Sequence, residues 1–233
     1  MNAEVNFHPT DDLLAKFVRD ELSAGMIVVI AAHVEQCQVC TQKTRDFEQT
    51  ASIEWMEDVA EEADTAEQSA FADMAAKITS LPQIKESRQD DSVQHEIHVL
   101  DHSVRLPKVL AKLAAEGLVW KKMAGGINQA SVALDDKTQC EFIYMKPGSQ
   151  VPVHRHEGSE VTLVLDGSFR DDLGDYRPAD FVVRDRSHTH QPASDEGCLC
   201  FAVLDSPLTF TQGLARLMNP FLKYRFWRAT SAG

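Results

Sequence analysis

The segment Gly148–Gly167 has the sequence GSQVPVHRHEGSEVTLVLDG, in which three residues of metal-ligand type lie close together. His154 and His156 are two residues apart, so their side chains point to the same face of a β-strand. Glu160 follows four residues later and opens a run of β-branched and aliphatic residues. Two imidazoles and a carboxylate suit Zn, Fe, Mn or Ni, so the pattern predicts a metal site more firmly than it predicts the metal.

Short runs of β-branched and aromatic residues continue on both sides of this segment. Turn-forming sequences such as Pro147-Gly148 and Asp166-Gly167 separate them. Many short strands with turns at this spacing are typical of a β-sandwich or a β-barrel. We expect strands at 119–123, 131–134, 141–145, 160–165, 180–183 and 198–204.

A fourth ligand for this site is expected from the later histidines. His188 and His190 have the same parity on a strand, so either could face the interior. Cys198 and Cys200 also share one face of a predicted strand, where they could be redox-active or packed in the core; packing is the commoner fate. For Cys140 the default is burial.

The first part of the chain has helical periodicity instead. Thr10 is a plausible N-cap for a first helix, and Ser23 is one for a second helix. A third helix is expected from about Cys40 to Val59. A fourth is expected over 65–79, and Pro82 prevents its continuation.

A second possible metal site lies in this helical part. On a helix, His33 and Cys37 are four residues apart and Cys40 is a further turn along, so the three side chains share one face. His8, just before the first helix, is the natural fourth donor for a tetrahedral zinc ion. The alternative is that the two thiols are small hydrophobes in the core. We favour a structural zinc site that ties the N-terminal arm to the second helix.

The charge distribution indicates two domains. Of the net charge of −13 over 233 residues, −12 comes from residues 1–92, with 19 acidic and 7 basic residues. We expect a helical domain at 1–85, a polar linker at 86–97 and a β-domain at 98–233, an α+β protein. The acidic first half disfavours direct binding to nucleic acid. Five cysteines without a visible signal peptide or a long apolar stretch suggest a soluble, cytoplasmic metal protein rather than a membrane or disulfide-bonded one.

These motifs resemble known families. His154, His156, Glu160 and the flanking glycines match the first cupin motif, which implies a jelly-roll β-barrel; Asp180 stands where the second motif usually has glycine. His190-Gln191-Pro192 resembles the segment that carries the last ligand in cupins fused to anti-sigma domains, so we choose His190 and keep His188 in reserve. His33-x3-Cys37-x2-Cys40 with an upstream His8 is similar to the zinc-binding anti-sigma domain.

The combination is similar to ChrR-type anti-sigma factors over nearly the whole chain. The resemblance implies a non-enzymatic protein that sequesters a group IV (ECF) sigma factor and releases it under oxidative stress, such as singlet oxygen or organic hydroperoxides. It implies zinc at the N-terminal site, and zinc or another divalent metal in the cupin. A metal-dependent cupin enzyme of dioxygenase type, with a helical oligomerisation domain, is the alternative.

Overall fold

A computed structural model describes residues 5–60, 65–82, 96–99 and 102–230. Helices fill the first two ranges, and a mainly antiparallel β-structure fills the rest. Two 3-10 turns, 124–126 and 214–218, accompany them. The helices are α1 (Asp11–Val18), α2 (Ala24–Gln36), α3 (Gln38–Ala60), α4 (Thr65–Thr79), α5 (Lys108–Ala115) and α6 (Asn219–Thr230).

The strands are short, as the turn spacing predicts. They are β1 (Glu96–Val99), β2 (His102–Arg105), β3 (Lys121–Lys122), β4 (Ile127–Val132), β5 (Gln139–Met145), β6 (Ser149–Gln150), β7 (His154–His156), β8 (Glu160–Gly167), β9 (Phe169–Asp171), β10 (Gly174–Tyr176), β11 (Phe181–Arg184), β12 (Thr189–His190), β13 (Ala193–Ser194), β14 (Cys198–Leu204) and β15 (Leu208–Phe210).

Local sequence signals explain where the first helices begin and end. Thr10 accepts a hydrogen bond from the backbone N–H of Leu13, which caps α1. The chain bends by 118° between α2 and α3, at Cys37. Within the described residues no single helix is long and apolar enough to cross a bilayer, although this bent pair passes on length and composition taken together.

The β-strands form a six-stranded sheet in the order β11-β8-β14-β5-β4-β3, facing a four-stranded sheet β10-β9-β13-β6 and a three-stranded sheet β12-β7-β15. All pairings are antiparallel. This is a jelly-roll cupin architecture without full barrel closure. A separate hairpin joins β1 to β2.

The two faces of the six-stranded sheet have different neighbours. Leu163 and Phe201 point to one face, where they join a single apolar core with Val29 and Ile30 of α2. Helix α2 lies close against the sheet at Gly25, because a Cβ there would lie 2.5 Å from Thr138 Oγ1. Alternate strand residues point into the jelly roll, towards the predicted metal ligands.

The predicted fold class, an N-terminal helical part and a C-terminal jelly roll, is confirmed. Two details differ. The strand expected at 131–134 runs over Ile127–Val132, because the positive φ angles of Gly125 and Gly126 place the turn before it; the one expected at 119–123 is only Lys121–Lys122. Most of the predicted linker lies outside the described residues, and β1 begins at Glu96, within its last two positions. The domain boundaries stay a prediction.

Candidate metal centres

The first cluster of possible ligands consists of His8, His33, Cys37 and Cys40, whose ligand atoms all lie within 4.8 Å of one another. The Sγ atoms of Cys37 and Cys40 lie 3.4 and 3.5 Å from His8 Nδ1, and Cys40 Sγ lies 3.3 Å from His33 Nε2. Around tetrahedral zinc, with bonds of about 2.0 Å to nitrogen and 2.3 Å to sulfur, such atoms stand about 3.5 Å apart. The four side chains therefore fit a tetrahedral ion.

A bend in the chain brings these ligands together. His33 lies in the last turn of α2, Cys37 follows that helix with an extended backbone (φ −113°, ψ 108°), and Cys40 lies in the first turn of α3. The sequence argument placed the three side chains on one face of one helix. The three side chains converge as expected, but not because they share one helix. The extended backbone at Cys37 changes the direction of the chain between α2 and α3, so the side chains approach one point from two helices and the residue between them.

Burial shifts the pKa values of His33 and Cys40 in this cluster. It lowers the pKa of His33 to about 4, so the ring is neutral near pH 7. His33 Nδ1 lies 2.8 Å from the carbonyl oxygen of Ala179. Because that oxygen can only accept, Nδ1 carries the proton and Nε2 turns its lone pair to Cys40. Burial, followed by the neighbouring Cys37, raises the pKa of Cys40 to about 12, and a bound cation would stabilise the thiolate that these surroundings disfavour.

The arm that carries His8 is held by the loop before β11. Asp180 Oδ1 accepts hydrogen bonds from the backbone N–H groups of Asn6 and Phe7, at 2.8 and 3.1 Å. The backbone N–H of Phe181 donates to the carbonyl of Phe7 at 2.9 Å. Asp180 is the residue that departs from the usual cupin glycine. The hydrogen bonds that its carboxylate accepts from the arm give this departure from the motif a structural role, which the sequence did not reveal.

The second cluster consists of His154, His156, Glu160 and His190, again with ligand atoms within 4.8 Å of one another. The Nε2 atom of His190 lies 3.0 Å from that of His154 and 3.2 Å from that of His156. Glu160 Oε2 lies 2.8 Å from His156 Nε2. Ligands bound at about 2.1 Å stand about 3.0 Å apart in an octahedral site and 3.4 Å apart in a tetrahedral one.

The hydrogen bonds around this cluster direct nitrogen lone pairs to its centre. His154 Nδ1 donates to the carbonyl of Pro152 at 2.9 Å, and His190 Nδ1 donates to Asp171 at 3.0 Å. Their Nε2 atoms therefore face each other with lone pairs, an arrangement that a cation between them stabilises. His156 Nδ1 is buried without a hydrogen-bond partner among the described residues. The residues fit a metal ion, and the donor set leaves its identity open.

Charge and burial act in opposite directions on these side chains. Burial lowers the pKa of His154 to about 4. Burial alone would raise the pKa of Glu160, but the charge and hydrogen bond of His156 outweigh it and bring the pKa to about 2. Near pH 7 the cluster therefore presents a neutral His154 ring and an ionised Glu160 carboxylate, which are protonation states that a divalent cation requires.

A buried polar network behind His190 was not predicted from the sequence. Asp171 accepts hydrogen bonds from His190, from the hydroxyl of Tyr176 at 2.9 Å and from Arg184 at 2.9 Å. Burial acts to raise the pKa of Asp171, but these donors hold it well below its usual range. The ring of Tyr176 packs edge-on against Phe7, with centroids 4.9 Å apart. The network thus reaches from the second cluster to the arm of the first.

The remaining candidates lie outside both clusters. His188 is partly exposed and pairs with Asp185 at 2.9 Å. Cys140 is buried, as expected, and packs near Gly25. Cys198 and Cys200 are buried on the interior face of β14 with their Sγ atoms 3.2 Å apart. A hydrogen bond with Cys198, together with burial, raises the pKa of Cys200 well above the normal value, which favours the packed thiol form.

Comparison with known proteins adds to this geometry. Residues 111–206 match the family described as the ChrR cupin-like domain. The chain is 27% identical over 224 residues to the anti-sigma-E factor ChrR of Cereibacter sphaeroides, an alignment that covers 94% of this chain and 99% of that protein. The ChrR-type resemblance predicted from the motifs is confirmed.

One solved structure has the same fold over most of this chain. The crystal structure of Rhodobacter sphaeroides SigE in complex with the anti-sigma ChrR matches with a TM-score of 0.64 and 24% identity, covering 87% of this chain and 100% of that chain. An RmlC-like cupin from Ralstonia eutropha matches with a TM-score of 0.40 and 17% identity over 48% of this chain and 84% of that one. The match to the ChrR cupin-like domain ends at residue 206, before α6.

Proposed function

We propose that this chain is an anti-sigma factor that holds an ECF sigma factor in the cytoplasm and releases it under oxidative stress. The observation that carries the proposal is the alignment with the anti-sigma-E factor ChrR over 94% of this chain and 99% of that protein. The residues proposed to bind metal are His8, His33, Cys37 and Cys40 in the helical domain, and His154, His156, Glu160 and His190 in the cupin domain.

The surface proposed to capture the sigma factor lies on α3 and α4. Six large apolar side chains there, which we call the helical surface, are between 50% and 67% exposed. Groups of exposed large apolar residues on helices commonly mark a protein interface. Acidic residues around them would attract a basic, DNA-binding partner and speed its encounter. The helical surface comprises Ile53, Trp55, Met56, Phe71, Met74 and Ile78.

Zinc is the metal proposed for the first cluster, because two thiolates and two imidazoles in a buried tetrahedral arrangement form a closed structural site. An ion there would tie the arm at His8 to the start of α3 at Cys40. It would thereby fix the direction in which α3, and with it the helical surface, leaves α2. Capture of the sigma factor should therefore depend on the ion.

Release is proposed to begin in the cupin domain and to travel along the Asp171 network. An oxidant that alters the metal ligands, or the Cys198–Cys200 pair on the same interior face, would disturb His190 and hence Asp171. Tyr176 couples Asp171 to Phe7 by a hydroxyl and a ring contact. The substitution Tyr176→Phe, which removes only the hydroxyl, should leave sigma binding intact and blunt release by singlet oxygen or an organic hydroperoxide. Unchanged release would exclude this route.

The capture step is tested by co-expression with the ECF sigma factor of the same genome. Wild-type chain should co-purify with it, whereas Cys37→Ala should not. The double substitution Trp55→Ala and Phe71→Ala should lose the partner while retaining zinc. Trp227→Ala is the matched control, since Trp227 is 61% exposed on α6, away from the helical surface. Equal recovery of the sigma factor with the double variant would contradict the proposed surface.

A metal-dependent cupin enzyme of dioxygenase type is the second candidate, favoured by an apolar cavity that reaches Glu160. It predicts a redox metal such as iron in the second cluster and turnover of a small molecule. The anti-sigma proposal predicts zinc at both sites and no turnover. Metal analysis of the purified chain, with an oxygen-consumption assay, separates the two.

A further inference from the structure

The interior of the jelly roll contains a cavity of about 340 Å³ beside the second metal cluster. Glu160 forms part of its wall, and Phe210, another wall residue, lies with its ring centroid 6.2 Å from that of His154. Most of the lining is aliphatic, including Ile143 and Leu204. A cavity of this size is in the range of small-molecule sites, and cavities of about 150 Å³ already accept benzene.

The roof of this cavity comes from the part of the chain that follows the ChrR cupin-like match. We call the 3-10 turn 214–218 and α6 together the roof. Its residues Met218 and Leu222 line the cavity, and its residue Phe226 is buried against the sheet. The side chain of Asn219 joins this roof to β15 by two hydrogen bonds with the backbone of Phe210, at 2.8 and 3.1 Å. The roof is therefore a built element that closes the mouth of the jelly roll.

The charged groups of the lining are already satisfied. Arg225 of the roof donates to Glu141 on β5 and to Gln129, the latter at 2.8 Å. Glu141 is 1% exposed, so this pair also fixes α6 to the sheet. Among the described lining residues the remaining charge is the carboxylate of Glu160. Apart from the metal proposed for the second cluster, the described lining therefore offers no free cation to a ligand.

We infer that this cavity binds a mainly hydrocarbon molecule of roughly a dozen heavy atoms, scaled from benzene in about 150 Å³, with one oxygen-bearing end at the metal cluster. The apolar walls exclude water from the chain of such a ligand, and its oxygen meets the polar region that Glu160 marks. The inference goes beyond sigma-factor binding and does not require it. The C-terminal roof, rather than the cupin core alone, completes the site.

The test uses full-length, metal-loaded protein and 1-decanol as the probe, with binding followed by calorimetry. We expect saturable binding of one molecule per chain. Leu222→Trp, which places an indole in the cavity, should weaken binding by about tenfold or more. Leu217→Trp is the matched control, because Leu217 lies in the same roof but is 79% exposed, and it should bind as wild type does.

Two further comparisons make the result decisive. 1,10-Decanediol should bind about tenfold more weakly than 1-decanol, because its second hydroxyl would be buried among the apolar walls without a partner. Met218→Trp repeats the blocking experiment should Leu222→Trp fail to fold, as judged by circular dichroism. The inference is overturned by absent or non-saturable binding of 1-decanol, by equal binding to a folded blocking variant, or by 1,10-decanediol binding as tightly as 1-decanol. Since no sigma factor is present, failure here leaves the proposed function standing.

Discussion

His33 donates a hydrogen bond from Nδ1 to the backbone carbonyl of Ala179, 2.8 Å away. One proposed zinc ligand on α2 is thereby oriented by the loop that leads into β11 of the cupin domain. The adjacent Asp180 holds the arm that carries a second ligand, His8. Two of the four N-terminal ligands therefore depend on cupin residues for their positions, although both come from the helical part of the sequence.

Replacement of Asp180 by alanine should weaken the N-terminal metal site. It removes the acceptor for two backbone amides of the arm, each such hydrogen bond to a charged group contributing about 1.5–3 kcal/mol. We expect zinc affinity at this cluster to fall by at least about tenfold, as for other residues that orient ligands. Competition with a chromophoric chelator measures it. Asp185→Ala, an exposed control, should not change it, and an unaltered affinity in Asp180→Ala would contradict the role of the arm.

Replacement of Gly25 by alanine should destabilise the contact between α2 and the six-stranded sheet. The new methyl group would lie 2.5 Å from Thr138 Oγ1 and 2.6 Å from Cys140 Sγ, so either these side chains must shift or helix and sheet must separate. Overpacking of this kind costs about 1–3 kcal/mol. Urea denaturation measures the free energy of unfolding. Gly117→Ala offers a comparison at a glycine whose surroundings are open but whose φ is +99°. Stability equal to wild type in Gly25→Ala would mean that α2 does not pack as described.

Acid should destabilise the protein between pH 6.5 and about 4. His33 and His154 have folded-state pKa values of about 4, below the ordinary 6.5, because burial disfavours their charged forms. In this interval the unfolded chain binds protons that the folded chain does not, so stability is complete above pH 6.5 and is lost as pH falls, by on the order of 3 kcal/mol per ring.

Denaturation of the metal-free protein at a series of pH values checks this dependence. His33→Gln should show a shallower loss than wild type, since one of the two rings is absent. A free energy of unfolding that stays constant from pH 7 to pH 4 would be inconsistent with neutral, buried histidines in both clusters.

The choice between His190 and His188 is tested by metal content. His190→Ala should purify with one equivalent of metal fewer than wild type, because its Nε2 lies within 3.2 Å of two other ligands. His188→Ala should retain the full content, since that ring pairs with Asp185 outside the cluster. Plasma mass spectrometry gives the count. The reverse pattern would reassign the ligand.

Much of this architecture could be predicted from local sequence. Thr10 as an N-cap and Pro82 as a helix breaker are signals of one or a few residues. Helix α1 begins directly after Thr10, and α4 ends before Pro82. His154 and His156 are two residues apart on one strand, and the strand period is two, so the sequence predicts that their side chains point to the same face. These two candidate ligands could therefore be identified from the sequence alone.

Other features depend on contacts between distant segments. The bend at Cys37 has no proline or glycine to mark it, yet it determines how His33 and Cys40 meet. No sequence signal pointed to Asp171, and Asp180 stood out only as a departure from the cupin motif, so only the fold gives them His190 and the arm as partners. The roof formed by α6 likewise follows from packing on the sheet rather than from a motif.

The central claim is that a metal-stabilised N-terminal domain captures an ECF sigma factor, and a transcription assay tests it most directly. RNA polymerase with the sigma factor of the same genome is assayed on a promoter of that sigma factor, with increasing amounts of this chain. We predict that equimolar zinc-loaded chain abolishes the transcript and that the Cys37→Ala chain does not. Full transcription in the presence of a tenfold excess of correctly folded, zinc-loaded chain would contradict the account.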